Sequence, residues 1–168
     1  MPQTLQTVHL QAAPLTAEAF APFGVVLEAL EDGTPFTAEE AALDVSAGTP
    51  RFYIMQLRDK TPAFTRITRH LRTTQTLMSV GGSPWIIAVA PAGDLTPGAE
   101  PRYEDVRAFV VPGDVAITLA KGTWHSGPYF EPKTLAFVNV ELADTNVTDH
   151  HSYLLSDELG LRVVIDVP

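Results

Sequence analysis

Trp85-Ile86-Ile87-Ala88-Val89-Ala90 is an unbroken apolar run, preceded by Gly81-Gly82-Ser83-Pro84 and followed by a polar stretch that begins Ala92-Gly93-Asp94. Side chains on a strand alternate between faces, so a continuous short apolar run bounded by turn residues predicts a strand buried on both sides. Its neighbours carry a different pattern. Phe64-Thr65-Arg66-Ile67-Thr68-Arg69 and Ala136-Phe137-Val138-Asn139-Val140-Glu141 alternate, which predicts strands with one wet face.

Working outward, short β-branched or aromatic runs recur at 24–27, 51–57, 64–69, 74–80, 85–90, 106–111, 115–119, 134–141 and 161–167. Pro, Gly, Asp or Ser bounds each of them, residues that preset or tolerate turn dihedrals. Strands at near-regular spacing without helices between them predict a mainly all-β fold, an antiparallel β-barrel or sandwich. Helical signal is confined to the start. Thr16 can cap Ala17-Glu18-Ala19-Phe20 before Pro22 and Gly24 stop the turn, and a second helical turn is expected through Ala38-Glu39-Glu40 after Thr37. Gly81-Gly82-Ser83-Pro84 reads as a hairpin turn, and 92–101 as a long polar loop. The chain shows no internal repeat, and residues 1–168 are expected to form one domain, a size that buries roughly 70% of its extended surface.

Eleven Lys and Arg stand against twenty Asp and Glu, a formal charge of -9, and the basic residues are scattered. Nucleic acid and anionic membrane are therefore not expected partners. The absence of cysteine excludes disulfides, thiolate metal sites and a cysteine nucleophile. No apolar run approaches the roughly 20 residues of a membrane span. The opening Met1-Pro2-Gln3-Thr4-Leu5-Gln6 has neither a basic start nor an apolar core, so a cytoplasmic location is expected.

Histidine is the main chemical resource, because imidazole moves protons or binds metals near neutral pH. His70 ends an alternating strand and Gln75 opens the next; His125 follows a turn, a strand, a second turn and Trp124. Histidines at the ends of different strands point to a shared site at a barrel mouth, with hydrogen-bonded structural roles as the alternative. His9 is read as structural. His150 and His151, adjacent in Thr148-Asp149-His150-His151-Ser152, point to opposite sides of an extended segment and are read as a surface turn. Phosphate-loop, nucleophile-elbow and calcium-loop patterns are absent.

Three blocks carry a family resemblance. Pro14 to Val26 resembles the opening helix and first strand of the ureidoglycolate lyases. Arg69-His70 with Thr74-Gln75 resembles their Arg-His and Ser-Gln block, and Lys121-Gly122-Thr123-Trp124-His125 is similar to their Arg-Gly-Thr-Trp-His signature. Three positions depart from the pattern: Thr68 stands where a glutamate commonly precedes Arg-His, while Ala120 and Ser126 replace histidines on either side of the signature.

The resemblance implies a cupin-type barrel and cleavage of ureidoglycolate, a ureido carboxylic acid, to glyoxylate and urea in allantoin degradation. A related enzyme acting on another small carboxylate, or a non-catalytic binding cupin, are the alternatives. It further implies His125 as general acid and base with His70 as its partner. Lys121 is expected to anchor the carboxylate, Gln75 to hold a ureido or carboxylate group, and Arg69 to bind an anion or stand in solvent. Trp124 is expected in the pocket wall or the core. A divalent metal such as nickel, held by His70, Gln75 and His125, and a homodimer complete the expectations.

Overall fold

The computed structural model describes residues 4–168; residues 1–3, the first part of the stretch read above for a leader, lie outside the described residues. The elements in chain order are β1 (Gln6–Pro14), α1 (Ala17–Phe20), β2 (Gly24–Leu27), β3 (Pro50–Arg58), β4 (Ala63–Phe64), β5 (Arg66–Arg69), β6 (Gln75–Ser79) and β7 (Trp85–Ala90). After a 3-10 turn at Tyr103–Asp105 come β8 (Arg107–Val111), β9 (Ala116–Leu119), β10 (Trp124–Tyr129), β11 (Thr134–Leu142), α2 (Thr145–Thr148), β12 (His151–Leu154), α3 (Leu155–Leu159) and β13 (Leu161–Asp166). The expected mainly β architecture is what is found, in two curled sheets that form a half-barrel sandwich.

The larger sheet runs β12-β5-β10-β7-β8-β1-β13-β4 and the smaller β2-β9-β6-β11-β3. One residue separates β4 from β5, yet they lie near opposite ends of the larger sheet, so that sheet must curl back on itself. The curl encloses Ile67, Ile86, Ala88, Trp124, Val163 and their neighbours. A second core, with Trp85, Ile87, Val89, Phe109, Leu77 and Phe137, fills the space between the sheets. Successive residues of β7 feed these two cores alternately, which is why all six are buried. Each large side chain so removed from water contributes roughly 1.5–3 kcal/mol.

Thr16 caps α1 as expected, its Oγ1 accepting from the Ala19 amide, and Phe20 is fully buried. Gly24 is required by packing, since a Cβ there would stand 1.9 Å from the Thr118 carbonyl oxygen on β9. Other expectations are corrected. The segment after Thr37 is a hydrogen-bonded turn, with Glu40 N donating to the Thr37 carbonyl, and not helix. Gly81 to Pro84 joins β6 of one sheet to β7 of the other, so it is a crossing between layers and not a hairpin. Pairing is not wholly antiparallel, because β1 runs parallel to both β13 and β8. On β11 the inward face is Leu135, Phe137, Asn139 and Glu141, and the face with Ala136, Val138 and Val140 is turned outward.

Candidate active site

The sheets part between the β5–β10 side of the larger one and the β3–β6–β11 side of the smaller one, leaving a cleft of about 690 Å³. His70, Gln75 and His125 all line it. Backbone hydrogen bonds explain why residues so distant in sequence meet. Gly122, in the left-handed region at φ 82°, donates its N–H to the His70 carbonyl at 2.7 Å. A residue with a Cβ is strained at that φ, so glycine lets this turn clasp the end of β5. Thr123 then anchors to Phe23 through its hydroxyl at 2.8 Å, and β10 carries His125 opposite Thr68.

The two rings lie 5.1 Å apart, centroid to centroid. Nδ1 of His70 donates to the Asp149 carbonyl at 2.7 Å, and Nδ1 of His125 donates to the Thr123 carbonyl at 3.1 Å. A carbonyl only accepts, so both rings carry their hydrogen on Nδ1 and present a bare Nε2 when neutral. Loss of solvation lowers both pKa values, His125 to about 3, with the neighbouring His70 adding to the effect. Both imidazoles are therefore neutral at physiological pH.

His150 corrects the surface-turn expectation. Though exposed, it lines the cleft and its ring is 5.8 Å from that of His70. Burial, followed by the charge of Arg66, lowers its pKa. His151 sits on β12 opposite Arg69 and donates Nε2 to Asp149 Oδ1 at 3.1 Å. His9 lies outside the cleft on β1, paired with Asp166 at 3.0 Å.

Three expected ligand-binding residues do not line the cleft. Lys121 is exposed and ion-paired with Asp44. Arg69 is neither an anion site nor a solvated charge: at 1% exposure, its guanidinium donates to the carbonyls of Ala92, Asp94 and Thr96 and lies over the Trp124 ring at 4.5 Å. Alternation on β5 accounts for this, since Arg69 and His70 leave the strand on opposite faces. Trp124 belongs to the core. The cations that line the cleft are instead Lys60, Arg66 and Arg162. Of the departures from the family pattern, Thr68 and Ser126 line the cleft and Ala120 does not.

Sequence reasoning also passed over Tyr53, Asn139 and Glu141, which line the cleft beside Gln75. The signal was Asn139 and Glu141 sharing the parity of Phe137 on an alternating strand. Glu141 is 1% exposed; burial raises its pKa, opposed by the hydroxyl of Tyr53, the charge of Arg51 and the amide of Asn139. Among the described residues no three His, Asp or Glu side chains converge as the ligands of one metal ion. With its amide nitrogen donating to Asn139 and Glu141, Gln75 could offer a metal only Oε1, an amide oxygen and a weak donor to nickel or zinc. Two imidazoles and one amide oxygen, with no carboxylate converging on them, do not fit a resident divalent metal.

The family model described as ureidoglycolate lyase matches residues 7–160. A ureidoglycolate lyase of Burkholderia mallei is 34% identical over 128 residues, 69% of this chain and 72% of the relative. One from Pseudomonas fluorescens strain SBW25 is 32% identical over 166 residues, covering 90% of this chain and 96% of the relative. One from Pseudomonas syringae pv. syringae is 29% identical over 162 residues, 88% and 92% of the two chains.

Proposed function

The chain belongs to the ureidoglycolate lyase family, and from that membership we propose that it cleaves ureidoglycolate to glyoxylate and urea. The observation that carries the mechanism is the pair of neutral imidazoles, each tied through Nδ1 to a backbone carbonyl, on one cleft. Ureidoglycolate bears a hydroxyl and a ureido nitrogen on the same carbon. Nε2 of His125 takes the hydroxyl proton, the oxygen pair forms the aldehyde C=O, and the C–N bond breaks with its pair going to the ureido nitrogen. The imidazolium returns the proton to that nitrogen, so urea and glyoxylate leave with no net proton change. His70, 5.1 Å away, orients or relays. Positioned proton transfer of this kind is worth about 10²–10⁴ in rate.

Arg66 and Lys60 take over the carboxylate-anchoring role expected of Lys121, because they line the cleft and Lys121 does not. A homodimer is part of the reading, supported by the nine-residue edge strand β3, on which Phe52 and Ile54 are 71% and 55% exposed. The cytoplasm is taken as its location; among the described residues no helix is long and apolar enough to cross a membrane.

The test is a coupled assay for urea and glyoxylate on metal-stripped protein given racemic ureidoglycolate, with nickel, manganese and zinc added back singly. Turnover that is lost in a folded His125→Ala supports the reading, and silence from folded wild-type protein under every condition overturns it. A second reading, a changed substrate among small carboxylates, is favoured by Thr68 and Ser126. Both line the cleft where the family pattern carries a glutamate and a histidine. Binding of small carboxylates without turnover of ureidoglycolate would select it.

A further inference from the structure

The wall of the cleft facing the histidines has a one-sided hydrogen-bonding inventory. The Gln75 amide nitrogen donates to Asn139 Oδ1 at 3.2 Å and to Glu141 Oε2 at 3.3 Å. The Asn139 amide nitrogen donates to the Tyr53 oxygen at 3.1 Å and reaches Met55 Sδ at 3.7 Å. The Tyr53 hydroxyl donates to Glu141 Oε1 at 3.4 Å. A primary amide has two donor hydrogens and a phenol one, so every donor hydrogen of the three side chains is directed within the cluster or at Met55. The amide orientations follow from chemistry: the Glu141 carboxylate only accepts, so Gln75 must offer it nitrogen and Asn139 must offer Gln75 oxygen.

What remains is acceptor capacity. Gln75 Oε1 is buried with no partner among the described residues. Glu141 has about four lone-pair sites, of which two long contacts use two. Buried acceptors left unpaired cost free energy that a donor-bearing ligand recovers. A second carboxylate is the wrong partner here, because Glu141 would repel it and no donor is free to receive it. A ureide is the right one, since its –NH–CO–NH₂ end supplies N–H donors at adjacent positions in one plane.

We propose that Gln75 and Glu141, held by Tyr53 and Asn139, are the specificity-determining residues for the ureide end of the ligand, which sets its N–H groups against the smaller sheet and its carboxylate toward Arg66 and Lys60. The assignment rests on the lyase reading for the identity of the ureide, but it is a statement about binding and can be tested without turnover. Of the roles expected for Gln75, it selects the ureido group.

The test is calorimetric titration of wild type, Gln75→Leu and Glu141→Gln with N-carbamoylglycine, a ureido acid without the hydroxyl that cleavage needs, and with glyoxylate, which has a carboxylate and no N–H. Each substitution is expected to weaken N-carbamoylglycine by about tenfold or more and to leave glyoxylate within about twofold. Glu141→Gln is nearly isosteric, and thermal melts of both variants establish that they are folded. Equal weakening of both ligands, no weakening of either, or failure of folded wild type to bind N-carbamoylglycine overturns the proposal. Selective ureide binding without turnover of ureidoglycolate upholds it and overturns the lyase reading instead.

Discussion

Asp149 holds His70 twice over: its carbonyl accepts Nδ1 of the ring at 2.7 Å, while its carboxylate accepts the next two backbone amides, Leu71 at 2.9 Å and Arg72 at 2.8 Å. The residue is 1% exposed and also receives His151 at 3.1 Å. One side chain thus shapes the turn after β5, and its own main chain selects the tautomer of the ring that the turn carries.

Asp149→Asn is accordingly expected to destabilise the protein and misplace His70. An amide NH₂ must face one of the backbone N–H groups that the carboxylate now accepts, leaving a buried donor unpaired at a cost of about 1–3 kcal/mol. For a chain of this size that lowers the melting temperature by roughly 2–12 °C. In protein still folded at the assay temperature, kcat for ureidoglycolate should fall further than KM rises. A thermal melt beside a kcat and KM determination checks both, and unchanged kcat would leave Asp149 a purely structural residue.

The histidine pKa values fix the sign of two pH dependences. Both rings are lowered from 6.5, so the base is already neutral near pH 7 and kcat/KM should stay flat through pH 6.5, with its acid limb below that. For stability, the folded state resists protons that the unfolded chain takes up below 6.5. The contribution of the neutral rings is whole above that pH and drains as pH falls toward their folded values. Glu141, raised above 4.5, works oppositely over the lower part of the range. Melting temperatures of wild type and His125→Gln between pH 7 and 5 separate these effects, the variant showing the shallower decline.

Arg66→Ala and Lys121→Ala should divide the cationic roles. The first removes a cleft cation and should raise KM for the carboxylate substrate by about tenfold with a smaller change in kcat. The second breaks an exposed pair with Asp44 outside the cleft and should leave both parameters within about twofold. Steady-state kinetics on the two variants decides the matter, and the reverse result would return the carboxylate to Lys121.

Arg69→Lys should cost stability without altering ureide or glyoxylate affinity directly. The guanidinium reaches three carbonyls of the 92–101 loop from a buried position, a fork that an ammonium cannot reproduce. The loss should be on the order of 2–4 kcal/mol, read by denaturant titration. Hydrogen exchange should quicken first in that loop.

The sandwich was legible where period and punctuation agreed, as in β7 and the regularly spaced strands after it. It was not legible at β10, because Trp124-His125-Ser126-Gly127-Pro128-Tyr129 contains a Gly-Pro pair and no alternation. That strand is held by pairing with β7, a contact distant in sequence. His70, Gln75 and His125 could be picked out as strand-end polar residues, and the cleft gathers all three. Lys121 could not be excluded, because its partner Asp44 lies 77 positions away.

β11 shows the division most sharply. Its sequence established a strand with two unlike faces, but both faces offered reasons to be inside, Ala136, Val138 and Val140 by apolarity, and Phe137 by size. Only the packing of Phe137 against Trp85 and Phe130 settled the inward parity, and that same parity carried Asn139 and Glu141 into the cleft. Composition, local period and the Lys121 to His125 signature depend on neighbours along the chain, and the sequence by itself determined the β architecture and family from them. Which face is buried, and which charge meets which, depends on residues brought together from other strands, and so tertiary structure alone decided the walls of the site.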